Sequence, residues 1–302
     1  MAGPIFLCLP RPAPMPTALL IAVLLAAPAC AQSGKPSAEP DPRARRADSV
    51  ITSAPAGSDG SRDTTVSVRS VALRIGETPV EVRITERPCT GACWSAVNVH
   101  DDENTAVEAA VAVIARQGGR LIELRHTGTR NLAFTVGGAA YTVDPNRIFT
   151  DAGRARTLTS LSRDTPAARA ATAAFAEALL DVVGTPDVVV ALHNNTEDNY
   201  SAHSYAPGGS DAGEAAAVRL APGADPDDFV FVTTRPVFDA VAADAVTAIL
   251  QNNDTPTDDG SLSVWAAQNG RPYLNIEAQH GHLDENTRLV GHLPAWTTAG
   301  RP

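Results

Sequence analysis

The residues His100-Asp101-Asp102-Glu103 place an imidazole and a carboxylate three positions apart, where a short aliphatic segment gives way to a helical pattern. A two-residue turn there lets both side chains converge on one point, and such a pair supplies two ligands for a divalent cation such as zinc. The same acids also suit the first turn of a helix, where negative charge meets the positive end of the dipole. A second histidine, His193, follows the aliphatic run 187–192 and so falls at the carboxyl edge of a buried strand, where open α/β sheets bind ligands. Together His100, Glu103 and His193 could assemble a His2Glu site for one zinc ion per chain, the alternative for His193 being a satisfied strand-edge histidine. Glu277 stands just beyond another aliphatic segment, 273–276, where a carboxylate beside such an ion would serve as general base. Asn146 and Arg147 are adjacent donors. Arg147 can grip a carboxylate through two parallel hydrogen bonds, although Asp144-Pro145-Asn146 is also good turn chemistry.

These positions require strands whose carboxyl ends lie side by side. Residues 66–75 and 80–84 alternate apolar and polar and predict a hairpin around Gly76-Glu77-Thr78-Pro79. A short strand over 96–99 leads to a helix over 104–116, with Ala106, Ala110 and Ile114 on one side and Gly118-Gly119 closing it. A strand over 120–125 and a hairpin over 134–143 follow. Asp164-Thr165-Pro166 opens an Ala-rich helix over 166–183, and 187–192 reads as a buried strand. Beyond a polar loop at 193–228, the pattern predicts a strand at 229–233, a helix at 236–252, and strands at 262–265 and 273–276. Strand–helix alternation of this kind implies one α/β domain over 66–296, a mixed, mostly parallel sheet flanked by helices, with a tail at 297–302.

Composition narrows the function. The chain has 302 residues, 44% of them hydrophobic and 19% charged, which is ordinary for a globular protein. Its net charge of −10 argues against a nucleic-acid or anionic-membrane surface. Lys35 is the only lysine and sits in a Ser/Pro/Ala-rich stretch, which excludes a P-loop lysine, a Schiff-base lysine and a Ser–Lys nucleophile pair. The apolar run at 17–27 is too short to span a bilayer, and Ala27-Pro28-Ala29 and Ala29-Cys30-Ala31 suit signal cleavage. Residues 1–31 therefore read as an export signal, with Cys30 a candidate for lipid attachment, and 32–65 as a disordered linker. The expected location is periplasmic or secreted. There Cys89 and Cys93 either close a short disulfide loop or stand as two buried thiols. His280-Gly281-His282 with Asp284 offers either its own metal site or loop residues beside the main one. Asp225, Asp227, Asp228, Asp258 and Asp259 lack regular calcium-loop spacing and read as solvated loops.

In chain order, HxxE at His100 and Glu103, D-x-N-R ending in Asn146 and Arg147, a strand-end His193 and a strand-end Glu277 resemble the metallocarboxypeptidase superfamily. That group includes the zinc carboxypeptidases and the succinylglutamate desuccinylase/aspartoacylase deacylases. The resemblance covers about 66–296 and implies a zinc-carboxypeptidase-like fold with zinc on His100, Glu103 and His193. It also implies that Asn146 and Arg147 hold a substrate carboxylate, that Glu277 activates the zinc-bound water, and that Arg130 polarises the scissile carbonyl. Tyr200 and Tyr205 are the candidates for the tyrosine that carboxypeptidases bring over the substrate. The implied activity is hydrolysis of an amide bond in a small peptide, a cell-wall peptide or an N-acylated amino acid. The alternative is a catalytically inactive periplasmic binding protein on the same fold.

Overall fold

The structure, a computed structural model, describes residues 65–197 and 199–301; the expected signal at 1–31, and the linker at 32–65 apart from Thr65, lie outside the described residues. In chain order the elements are β1 (Ser67–Ile75), β2 (Thr78–Arg87), β3 (Ser95–Asn98), α1 (Asn104–Gln117), β4 (Gly119–Arg125), β5 (Leu132–Val136) and β6 (Ala139–Val143). Then come α2 (Asp151–Leu161), α3 (Pro166–Val183), β7 (Val189–Asn195), β8 (Ala215–Arg219), β9 (Phe229–Val232), α4 (Arg235–Ala243) and β10 (Ala248–Gln251). The chain closes with α5 (Leu262–Gln268), β11 (Tyr273–Gln279), α6 (Leu283–Gly291) and α7 (Leu293–Ala299).

Nine strands form one mixed sheet in the order β1-β2-β4-β3-β7-β11-β9-β10-β8, and β5-β6 is a separate hairpin. The centre, β4-β3-β7-β11, is parallel, and the pairings outward from it leave six of the nine strands pointing one way. Period-two alternation divides the core between the two faces. Val189, Ala191, Phe229, Phe231 and Tyr273 pack on one side with α2, α3 and α5. Val190, Leu192, Val230, Val232, Leu274 and Ile276 pack on the other with α1, α4, α6 and α7. The parity of β11 therefore puts Asn275 and Glu277 on the face of Tyr273, and that of β7 puts His193 there too.

Local sequence explains most boundaries. The Thr165 hydroxyl accepts from the Ala168 N–H and Pro166 sits in the first turn, so α3 begins where the sequence predicts. Gly118 ends α1 with φ +82°. Two expectations need correction. The helix over 236–252 stops at Ala243; Ala245 turns the chain at φ +56°, and the buried run after it becomes β10. The strand at 262–265 is instead α5, nucleated by Ser261, whose hydroxyl accepts from the Val264 N–H. The loop at 193–228 also contains β8, and α7 extends past residue 296. Cys89 and Cys93 are joined in a disulfide, their Cα atoms 5.5 Å apart.

Candidate metal centre and substrate cavity

The turn after β3 is closed by the Glu103 N–H donating to the His100 carbonyl, which brings the two side chains to one side. His100 Nδ1 lies 2.7 Å from Glu103 Oε1, and His193 Nδ1 lies 2.9 Å from Glu103 Oε2. The two Nδ1 atoms are 3.1 Å apart. All three side chains are buried, with ligand atoms within 4.8 Å of one another. Glu103 occupies the N-cap position of α1 yet makes no capping bond. Its carboxylate is turned onto the histidines and away from the helix N–H groups, so helix-dipole stabilisation does not account for its placement.

The outer nitrogen of His100 is engaged as well. His100 Nε2 lies 2.9 Å from Asp144 Oδ1, which also accepts from the Asn146 N–H at 2.8 Å. Asp144 thus orients an imidazole and caps the 3-10 turn that carries Asn146 and Arg147. Arg130 is brought in by the loop after β4, where Asp101 Oδ2 accepts from the His126 and Gly128 N–H groups. Its guanidinium lies 3.2 Å from Glu103 Oε1 and 3.4 Å from Asp144 Oδ2.

The charge balance follows from this packing. Burial alone pulls His100 down, but the Glu103 and Asp144 carboxylates outweigh it and hold the imidazole up at about 9. Burial alone would raise Glu103, yet His193 and His100 bring it down to about 2. Glu277, directly opposite His193 in the β7–β11 register, moves the other way. Its burial, with Glu103 nearby, raises it above the ordinary carboxyl range, against His193 and a 3.0 Å bond from Asn275 Nδ2.

His193, Glu103, Arg130, Asn146, Arg147 and Glu277 line one cavity of about 820 Å3. His100 is buried behind them. His100, Glu103, His193, Arg130, Asn146, Arg147 and Glu277, all nominated by the sequence, therefore come together at the carboxyl edge of the sheet. Tyr200 and Tyr205 line the same cavity, hydroxyl to hydroxyl. His280 reaches its wall, whereas His282 pairs with Asp228.

No protein-family model and no curated protein matches this sequence. Similar solved structures include an aspartoacylase family protein from Mesorhizobium loti, at 15% identity and TM-score 0.39, covering 76% of this chain and 66% of that one. A metallo-carboxypeptidase from Burkholderia cenocepacia is 13% identical with TM-score 0.38, covering 76% of this chain and 63% of that one. A third, from Pseudomonas aeruginosa, is a metallo-carboxypeptidase in complex with (2-guanidinoethylmercapto)succinic acid. It is 10% identical with TM-score 0.39, and covers 78% of this chain and 65% of that one.

The donor set itself tests whether a metal fits. Two imidazole nitrogens and one carboxylate, all buried and mutually in contact, present converging lone pairs without a thiolate. Such a set suits a borderline divalent transition-metal ion. The carboxylate behind His100 is the outer support that metal-ligating histidines usually have. Sequence reasoning missed two supporting residues. Asp144 was visible as the first residue of D-x-N-R but read as turn chemistry, and Asp101 sat inside the HxxE motif unremarked.

Proposed function

We propose that this protein is an exported zinc-dependent hydrolase that cleaves the amide bond of a substrate bearing a free carboxylate. The observation that carries the reading is the convergence of His100, Glu103 and His193 beside a buried Glu277 in one cavity with Arg147. The Cys89–Cys93 disulfide supports the export part, since such bonds persist in oxidising compartments. His100, Glu103 and His193 would hold one zinc ion, which supplies a Lewis acid for the carbonyl and lowers the pKa of water.

The remaining steps belong to the chain. Arg147, with the Asn146 amide beside it, holds the substrate carboxylate and so fixes where the amide lies. Arg130 donates to the carbonyl oxygen as negative charge develops on it. Glu277 takes the proton from the attacking water and passes it to the leaving nitrogen, so that the amide becomes a carboxylate and an amine. Burial raises its pKa above the ordinary carboxyl range, which favours its holding the proton between the two transfers. Turnover of N-acyl amino acids and short peptides by the zinc-loaded protein, abolished by a chelator and restored by zinc, is the expected result. Zinc binding without turnover on such substrates would leave the inactive binding protein.

A further inference from the structure

Helix α1 begins without a cap of its own. An N-cap side chain ordinarily accepts from an N–H in the first turn, but Glu103, at that position, makes no such bond and faces the histidines. One donor this leaves is the Ala106 N–H, third in the helix. It is met from a neighbouring strand: Asn194 Oδ1 accepts from it at 2.9 Å, 88 residues away in sequence. Asn194 follows His193 on β7, and strand alternation turns its side chain to the face that carries α1 and α6.

The other end of the same amide is tied as well. Asn194 Nδ2 donates to the Ala278 carbonyl at 3.0 Å and to Asn286 Oδ1 at 3.2 Å. Ala278 stands opposite Asn194 in the β7–β11 register, one residue beyond Glu277. Asn286, fully buried on α6, is held in turn by donating to the His282 carbonyl at 3.0 Å. Turning the Asn194 amide over would set N–H against the Ala106 N–H and oxygen against the Ala278 carbonyl, so its orientation is fixed. The site needs an acceptor on one side and two donors on the other, which a carboxamide supplies. Asn194 therefore joins the elements that bear Glu103, His193 and Glu277.

We infer that Asn194 is a positioning residue of the metal centre, capping α1 in place of Glu103 so that the Glu103 carboxylate stays on the histidines. This role rests on the zinc site of the proposed function and adds what keeps Glu103 a ligand. Without Asn194, the unmet N–H groups of α1 would draw the Glu103 carboxylate back into ordinary N-cap geometry, away from the ion.

The test is zinc affinity, by competition titration, in the unaltered protein, Asn194→Ala, Asn194→Asp and Asp228→Ala. Asn194→Ala should weaken zinc by about tenfold or more and change the visible spectrum of the cobalt(II)-substituted protein. Asn194→Asp keeps an oxygen for the Ala106 N–H. At high ionic strength, where its added charge is screened, it should stay within about threefold of the unaltered protein. Asp228→Ala frees the Gln279 N–H instead, and so reports what general loosening of this region does. Zinc affinity in Asn194→Ala equal to that of the unaltered protein or of Asp228→Ala overturns the inference and leaves the hydrolase standing. An Asn194→Asp as weak as Asn194→Ala overturns it too. Zinc bound without turnover in the unaltered protein removes the hydrolase, while the same affinities still decide the inference; no zinc there overturns both. If Asn194→Ala does not fold, hydrogen exchange in the unaltered protein decides. Zinc should slow exchange of the Ala106 N–H by at least about tenfold, and an unchanged rate overturns the inference.

Discussion

Among the described residues, two groups of histidine and carboxylate are tight enough to hold a cation, and they are built differently. In the first, His100, Glu103 and His193 are all buried, and the Glu103 oxygens meet side chains, including both histidines. In the second, Asp225, Asp228 and His282, only Asp228 is buried. Its Oδ1 already accepts the Gln279 N–H at 2.7 Å, and Asp225 Oδ1 accepts the Asp227 N–H at 3.0 Å. The second group spends its lone pairs clamping the end of β11 to the loop before β9. The first has converging lone pairs behind a wall of supporting contacts. Proximity is common to both; burial and the direction of the lone pairs separate them.

Several changes would break or sharpen that contrast. The largest effect is expected from Glu277→Gln, which keeps the 3.0 Å acceptor for Asn275 but loses the proton carrier. Turnover should fall by about 10^2–10^4-fold with zinc content unchanged, read by steady-state kinetics beside elemental analysis. Next comes Asp144→Asn, which loosens His100 from outside and should weaken zinc affinity by about 10–100-fold in a competition titration. In the second group, Asp228→Ala should cost about 1–3 kcal/mol of stability by leaving the Gln279 N–H unmet, with zinc content untouched.

The smallest effect concerns pH. His100 is raised from 6.5 to about 9 when only protein groups face it, so its contribution to stability is full below 6.5 and lost as pH rises through 9. Glu103 is lowered from 4.5 to about 2, so its contribution is present above 4.5 and lost as pH falls through 2. Chelator-treated protein should therefore lose Tm between pH 6.5 and 9, and zinc should flatten that slope. Zinc uptake at pH 7 should also release a proton from His100, measurable in weak buffer. A Tm that stays level across that range without zinc would contradict this charge assignment.

What was legible in the sequence follows the same physics. Long or punctuated elements, such as α3 behind Thr165-Pro166, declare themselves through caps and periodicity. So does β11, where Asn275 and Glu277 interrupt an aliphatic strand on one face only. Short apolar runs do not: 262–265 looks like a strand until Ser261 caps it, and 246–250 looks helical until Ala245 turns the chain. His100, Glu103 and His193 were readable together because the histidines sit at strand ends, and Glu103 at a helix start, that the pattern located. Asp144 and Asp101 were not, because turn-forming acids look alike until the partner across space is known.

Zinc content of the purified protein, beside His193→Ala and His282→Ala, tests the central claim most directly. One zinc per chain is expected, absent in His193→Ala and unchanged in His282→Ala. Zinc retained in His193→Ala, or lost in His282→Ala, would move the metal away from the buried trio and remove the ground for the proposed chemistry.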